Sequence, residues 1–500
     1  MTKIVYSQYQ LNVFDAIKNT KNNLAINAVA GSGKTFTIVE AVKQIPSSKS
    51  VLFLAFNKSI ADELSNKLSA YPNVECRTLH SLGNSALKSF KLRLKNKYYE
   101  YGDQCLLQSD IVTIDSDNAL QLTFKSNCNK LYNLARLNLI KNDDLKGLEN
   151  LADHHNLTLI GDEIKVVNST LLSAYELQKD QKTIDFTDML VLGITYKRFL
   201  SQYDFVFIDE CQDLSAAQRE LMLAAVKPNG GRFIAVGDPK QAINGFAGAT
   251  NNSFELIATL PNTKTLPLSV NYRCGSDIVS LAQGLVPQIT AHEGAIKGEI
   301  IDTTNLKDAQ AGDMIICRKS APLVSVCLKL LNNGKRANIK GRDMGEGLKN
   351  LVVKMKAKNL HSLFCKLDDE KNKLEKEIAK RSKNPKDTQK YITFADKIEC
   401  LSIIAESCLS IAELKAKLDK LFTDTTSNNI ITLSTIHKSK GLEADNVFIL
   451  CPDKLPLTWK NQQAWELEQE FNLKYVAITR AKKKLTFVNV AEDSLKNMEY

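Results

Sequence analysis

No two of the eleven cysteines form a Cys-x-x-Cys pair, which argues against zinc ribbons and iron–sulfur clusters. They read as reduced, mostly buried thiols of a cytoplasmic protein. No run of about 18 apolar residues occurs, so nothing is expected to span a membrane. The opening Met1-Thr2-Lys3-Ile4-Val5-Tyr6 lacks the long apolar core of a signal peptide. What remains is the composition of an ordinary soluble protein, with 44% hydrophobic and 24% charged residues. At about 150 residues per domain, the chain accommodates three to four domains. A formal net charge of +10 favours a polyanionic partner.

The most informative stretch is Ala28-Val29-Ala30-Gly31-Ser32-Gly33-Lys34-Thr35. An apolar run, Leu24-Ala25-Ile26, leads into it, and residues 36–42 carry helical periodicity out of it. That order is the strand, glycine-rich turn and helix of a phosphate-binding P-loop. Gly31 and Gly33 let successive N–H groups turn toward an anion, and the helix adds its positive N-terminal end. Lys34 would reach the β- and γ-phosphates, and the Thr35 hydroxyl would bind Mg²⁺. Ala28 stands where the pattern usually has its first glycine. Upstream, Ser7 is the expected N-cap of a helix with Val13, Phe14 and Ile17 on its apolar stripe. Gln10 on that helix could offer donor and acceptor to an adenine edge, or be a surface glutamine.

Residues 51–56 read as a buried parallel strand with Asn57-Lys58 at its C-terminal end, the edge where open α/β sheets bind ligands. Thr78-Leu79-His80-Ser81 follows a further segment in the same manner, His80 being open to a structural or a functional role. Residues 82–175 are mostly helical and carry no phosphate motif, as expected of an inserted domain. Within them, residues 88–99 interleave basic and aromatic side chains. Either they track a nucleic-acid backbone, or they form a solvated helix face with its aromatics in the core. The hydrophobic run at residues 204–208 ends in Asp209-Glu210-Cys211-Gln212-Asp213, expected beside the P-loop on the neighbouring strand. Asp209 can hold Mg²⁺, and Glu210 can orient the attacking water or accept its proton. A second such strand ends in Gly237-Asp238-Pro239-Lys240-Gln241, where Gln241 could sense the γ-phosphate and Phe246 be presented for base stacking. Pro261 and Pro267 mark a hinge. A second sheet follows, with strands at residues 313–318, 430–434, 447–450 and 485–490. The helical, charge-dense stretch at residues 345–424 reads as a small surface domain.

The ordered set resembles superfamily 1A DNA helicases of the UvrD/Rep/PcrA type. The matching stretches are the P-loop, Ala55-Phe56-Asn57-Lys58, Thr78-Leu79-His80-Ser81, Asp185-Phe186-Thr187-Asp188, Asp209-Glu210-Cys211-Gln212-Asp213, Gly237-Asp238-Pro239-Lys240-Gln241, Asn271-Tyr272-Arg273, Thr435-Ile436-His437-Lys438-Ser439-Lys440-Gly441-Leu442-Glu443 and Val476-Ala477-Ile478-Thr479-Arg480-Ala481-Lys482. The resemblance implies an α/β fold with two RecA-like P-loop domains, each a parallel sheet flanked by helices. Residues 1–81 and 176–262 would form the first and residues 263–344 and 426–500 the second, with helical inserts at 82–175 and 345–425. ATP with Mg²⁺ would bind through Gln10, residues 28–35, Tyr272, Arg273, Gly441, Glu443 and Arg480. Lys34, Asp209, Glu210, Gln241, Arg273 and Arg480 would be catalytic, and Thr35 and Asp209 would hold the metal. Phe56, Asn57, Thr78, His80, Phe246, Thr435 and His437 would contact DNA.

By that likeness the protein is a 3′→5′ translocase on single-stranded DNA that unwinds tailed duplexes. The second insert is shorter than the family's accessory domain. Asn244, Phe246 and Ala247 replace an aromatic and Trp-Arg pattern, and Asn472 stands where an arginine is common. No nuclease domain is expected beyond Arg480. An ATPase that remodels protein–DNA complexes or activates a partner nuclease is the alternative. A nucleotide-gated binding module and an RNA substrate rank behind it.

Overall fold

The first sheet follows from strand sequences such as Val51-Leu52-Phe53-Leu54-Ala55, apolar at every position, as a parallel strand covered on both faces requires. The computed structural model describes residues 5–95, 98–107, 118–155, 157, 159, 161–181, 183–245, 248, 252–379, 384–424 and 429–497. By contact density the chain divides into one unit of Met1–Ala28 with Gly33–Ser269 and another of Val29–Ser32 with Val270–Tyr500. Among the described residues, no helix is long and apolar enough to cross a membrane. All eleven cysteines are free thiols, and all but Cys76 and Cys365 are buried.

The first unit begins α1 (Gln8–Asn19), β1 (Asn23–Ala28), α2 (Lys34–Ala41), β2 (Val51–Ala55), α3 (Lys58–Lys67), β3 (Val74–Thr78) and α4 (Leu79–Ser85). The insert follows as β4 (Arg93–Leu94), α5 (Tyr98–Leu107), α6 (Asn118–Leu137), α7 (Leu145–His154), α8 (Glu163–Gln181) and β5 (Thr183–Ile184). The unit closes with α9 (Phe186–Thr195), β6 (Phe205–Ile208), α10 (Ala216–Ala224), β7 (Arg232–Gly237), α11 (Ser253–Ala258) and β8 (Thr263–Leu268). Strand order is β3-β2-β6-β7-β1-β8, every pairing parallel. Alternate side chains face opposite layers: Leu24, Ile26, Phe53 and Ile234 pack with Val13, Ile17 and Ile38. Ala25, Leu52, Leu54, Val206 and Phe233 pack with Leu82, Leu190 and Leu221 on the other face. The insert has its own core around Phe124, Leu131, Leu148 and Val167.

The boundary expected between residues 262 and 263 falls instead after Ser269, because β8 pairs along β1 and completes the first sheet. Pro267 is tolerated there because β8 is an edge strand.

The second unit holds β9 (Val270–Asn271), α12 (Ser276–Gln283), β10 (Thr290–Ala291), β11 (Glu299–Thr303), β12 (Met314–Cys317), α13 (Ala321–Asn332) and β13 (Ala337–Lys340). Then come α14 (Arg342–Lys354), α15 (Leu360–Ala379), α16 (Gln389–Ala405), α17 (Ile411–Leu421) and β14 (Phe422–Thr423). It ends with β15 (Ile431–Thr435), β16 (Ala444–Leu450), α18 (Ala464–Ile478) and β17 (Ala481–Val488). Seven of its strands form one sheet in the order β11-β17-β16-β12-β15-β13-β14, again all parallel, while β9 and β10 pair separately.

The expectation of a small surface domain at residues 345–424 is corrected. Leu348, Leu363, Leu367, Leu401, Ile404 and Leu418 share one buried cluster with the sheet residues Ile315, Ile339 and Leu433. β14 also joins the sheet beside β13. The charges sit on the outer faces of these helices, and their apolar stripes build the unit's core.

Candidate active site

Because every strand of the first sheet is parallel, their C-terminal tips share one edge, and predicted residues of the first unit such as Lys34, Thr35, Asn57, Asp209 and Gln241 lie along it. Gly33 caps α2 with φ 73°, a left-handed conformation that suits glycine, and no side chain caps the helix start. No side chain therefore competes with an anion for the N–H groups that open α2. Ser32 is buried and its Oγ makes no hydrogen bond, a polar atom oriented for a ligand rather than for the fold.

Asp209 does not lie on the strand next to the P-loop, as expected; β7 stands between β6 and β1. The side chains nonetheless meet. Thr35 Oγ1 donates to Asp209 Oδ2 at 2.6 Å, and Lys34 Nζ lies 3.5 Å from Glu210 Oε1. Glu210 takes the left-handed backbone (φ 54°), and its Oε2 accepts from Gln212 Nε2 at 2.5 Å. Gln212 Oε1 in turn accepts from the Asp238 N–H at 3.0 Å, tying the tips of β6 and β7 together. This tie requires Gly237, since a Cβ there would fall 2.5 Å from Gln212 Oε1. Gln241 Nε2 donates to Asp238 Oδ2 at 2.6 Å.

Burial, then the charge of Glu210, pushes the Asp209 carboxyl up to about 6, against the opposing pull of Lys34 and Thr35. Burial also raises Asp238, opposed by Lys34 and by the hydrogen bond from Gln241. Thr35 and Asp209 thus bring hard oxygen donors together where carboxylates outnumber the Lys34 ammonium, which fits a Mg²⁺ ion whose other ligands would be phosphate and water. Gln212 and Asp238 lie within motifs, but nothing in their sequence positions points to a role. Their bridging is a tertiary contact between two strand tips.

Gln10 is buried in α1. Its Oε1 accepts from the Ser7 N–H at 3.0 Å, and its Nε2 donates to Thr37 Oγ1 at 3.2 Å. Ala28, the last residue of β1, is fully buried along with Val29 and Ala30. Further along the edge, Phe56 is exposed and Asn57 caps α3, its Oδ1 accepting from the Ile60 N–H at 2.9 Å. Thr78 caps α4 through Ser81. The His80 ring stands edge-on to exposed Phe186 at 5.9 Å, and burial lowers its pKa. Phe246 and Ala247 lie outside the described residues.

In the second unit, Arg273 follows β9 and its Nε lies 2.6 Å from Glu443 Oε2. Lys482 Nζ holds the other Glu443 oxygen at 2.7 Å. Burial raises the Glu443 carboxyl, but Lys482 and Arg273 together outweigh it and hold it below its ordinary range. Gly441 sits at φ 85°, just before this glutamate. Tyr272 is exposed, its ring 4.9 Å from His292. Arg480 is buried, with Nε donating to the Val476 carbonyl and Nη1 to that of Leu442, both at 3.0 Å. Thr435 ends β15, and its Oγ1 accepts from the Lys438 N–H at 3.4 Å. Burial, then the charges of Arg318 and Lys438, push His437 down to about 3, so its ring is neutral at physiological pH. Lys482 lies in the last motif, but its position in sequence does not reveal the carboxylate it shares with Arg273.

The UvrD/REP helicase N-terminal domain family matches residues 11–260, and the UvrD-like helicase C-terminal domain family matches residues 329–492. Over 92% of its length the chain is 25% identical to F-box DNA helicase protein 1 of Schizosaccharomyces pombe. Over a similar 92% it is 26% identical to F-box DNA helicase 1 of Gallus gallus. Those alignments take in 55% and 46% of the two proteins, so the chain spans about half the length of these curated relatives. A probable DNA helicase of Mycoplasma pneumoniae is 24% identical, over 93% of this chain and 80% of that one. DNA helicase II of Escherichia coli is 24% identical over 54% of this chain and 39% of its own length.

Proposed function

The chain belongs to the UvrD/REP helicase family, and on that footing we propose that it is an ATP-driven motor that moves along single-stranded DNA and unwinds tailed duplexes. The observation that carries this reading is the direct bond from Thr35 to Asp209 beside the Lys34–Glu210 pair. A phosphate turn meets a metal-holding carboxylate and a candidate base at one sheet edge, which is the equipment for phosphoryl transfer to water. Mg²⁺, when held by Thr35 and Asp209, would neutralise phosphate charge. Glu210 takes the proton of the attacking water, Lys34 steadies the phosphates, and Gln241 reports the γ-phosphate from its tether on Asp238. Arg273 and Arg480 add positive charge where it develops, each exchanging its present partners for phosphate oxygens. Tyr272 stacks on the adenine, Gln10 reads its edge, and Glu443 meets the ribose. Phe56, Asn57, Thr78, His80, Phe246, Thr435 and His437 contact the strand, with 3′→5′ polarity as in the family.

The test is steady-state ATP hydrolysis with and without single-stranded DNA, beside Glu210→Gln. Stimulation of about tenfold or more, some 1.4 kcal/mol of barrier, is expected, and it is lost in the variant. Hydrolysis indifferent to DNA overturns the motor reading. A second reading, an ATPase that remodels protein–DNA complexes or activates a nuclease, draws support from the second insert, whose helices are committed to the unit's core. Strand displacement on a protein-free tailed duplex separates the two. The labelled strand end that is released reports polarity.

A further inference from the structure

The basic and aromatic run after α4, which the sequence leaves between two roles, meets a second such run after α9. Helices α4 and α9 start side by side at the ligand edge, where the rings of His80 and Phe186 approach each other. They run back together for about 10–15 Å at 1.5 Å per residue. At their far ends the ring of Phe90 lies 4.6 Å from that of Tyr196 and 6.1 Å from that of Phe199. The Arg198 guanidinium stacks 4.8 Å over the Phe199 ring. Phe90, Leu94 and Phe199 are exposed, so these aromatics do not serve the core. Lys88, Lys91, Arg93, Lys197 and Arg198 flank them along the chain, all exposed, and none has an ion-pair partner among the described residues. Strand β4, which carries Arg93 and Leu94, is pinned by its pairing with β5, so the patch is built on fixed backbone. Five cations without an ion-pair partner beside two exposed aromatic side chains complement a chain of phosphates bearing flat bases.

We propose that this surface, formed by Phe90, Phe199, Lys88, Lys91, Arg93 and Arg198, is a second binding site for single-stranded DNA, set back from the ATP edge. Single-stranded DNA is favoured over duplex because the ring faces need unpaired bases to stack on. The inference rests on the reading that the chain binds DNA. The site holds the strand beyond the edge residues Asn57 and His80, so it is reached only by strands long enough to run past them.

Fluorescence anisotropy with oligo-dT of about 10 and about 25 nucleotides, on either side of one compact site's reach, tests this in the full chain. The variants are the triple Lys88→Ala, Lys91→Ala, Arg93→Ala and, separately, Phe199→Ala. The triple variant is expected to keep short-strand affinity and ATP turnover on the short strand. It should lose about tenfold or more on the long one, with the salt slope shallower by about 2, near 0.7 per lost phosphate contact. Phe199→Ala is expected to weaken only the long strand, about fivefold or more, as loss of one stacked base would. Equal affinities for long and short strands in wild type and variants overturn the proposal while leaving the motor reading intact. A loss confined to duplex of the same length also overturns it. Wild-type protein that binds neither strand overturns both readings.

Discussion

At the scale of single residues, buried carboxylates do two opposite jobs in the first unit. Burial pushes Asp209 and Asp238 up toward neutrality against the pull of Lys34, which makes them receptive to a cation. Asp204, just before β6, is over-supplied. Its Oδ2 accepts from the Ser50 N–H at 3.0 Å, Ser50 Oγ at 2.8 Å and Lys227 Nζ at 2.7 Å, and its Oδ1 from Lys49 Nζ at 3.2 Å. Burial opposes ionisation there, but the bonds from Lys227, Ser50 and Lys49 outweigh it and hold the carboxyl below its ordinary range. The unfolded chain therefore binds the proton more tightly, so this stabilisation is complete above the unfolded pKa of about 3.9 and is lost as pH falls below it. Asp204→Asn should cost about 1.5–3 kcal/mol at pH 7, the worth of a charge-assisted bond, with the gap to wild type narrowing in acid. Urea denaturation at pH 7 and below pH 4 measures it. The meeting of Lys34, Thr35, Asp209 and Glu210 was legible in sequence because phosphate chemistry restricts which residue can stand at each step of a P-loop. The Gln212–Asp238 bridge was not, since it joins strands 26 residues apart through a side chain of a common type.

At the scale of elements, α6 of the insert is fastened to α9 by Arg136, beside a bond from Thr187 Oγ1 to Asn133 Oδ1 at 2.7 Å. Arg136 Nη1 reaches Asp185 Oδ1 at 3.0 Å and Asp188 Oδ1 at 2.8 Å, and Nη2 reaches Asp185 Oδ2 at 2.9 Å. The same two aspartates form the capping box that starts α9, so one charge cluster sets both the helix start and the docking of the insert. Arg136→Ala leaves buried Asp188 and part-buried Asp185 without their cation and should cost about 3–5 kcal/mol, read by chemical denaturation. ATP turnover, which depends on the far side of the sheet edge, should fall less than stability does. The Asp185-Phe186-Thr187-Asp188 motif was visible in sequence. Its partner was not, because the arginine lies 49 residues upstream in an otherwise ordinary helix.

At the scale of the whole molecule, the first insert has a core of its own, and the second does not. Replacing residues 345–425 with a short glycine linker strips Leu348, Leu363, Leu401, Ile404 and Leu418 from the second unit's core. A single buried leucine truncation costs about 2–5 kcal/mol, so losing five exceeds the stability of a typical unit. The deletion is expected to unfold the second unit, lowering helical circular dichroism beyond the loss of the deleted helices. A variant that keeps a cooperative second unit would overturn this. The charge-dense sequence of α15 concealed the role, since a helix needs only a narrow apolar stripe to serve a core.

By itself the sequence determined the α/β class, the order of phosphate and acidic motifs, and the family resemblance, because those depend on local chemistry at fixed spacing. Strand neighbours, the end of the first sheet at β8, the insert's merger with the second core, and the meeting of Phe90 with Phe199 were decided by tertiary structure. Each depends on which distant segments bury one another. That choice is made by packing the apolar faces of the whole unit, and no local window of residues contains it.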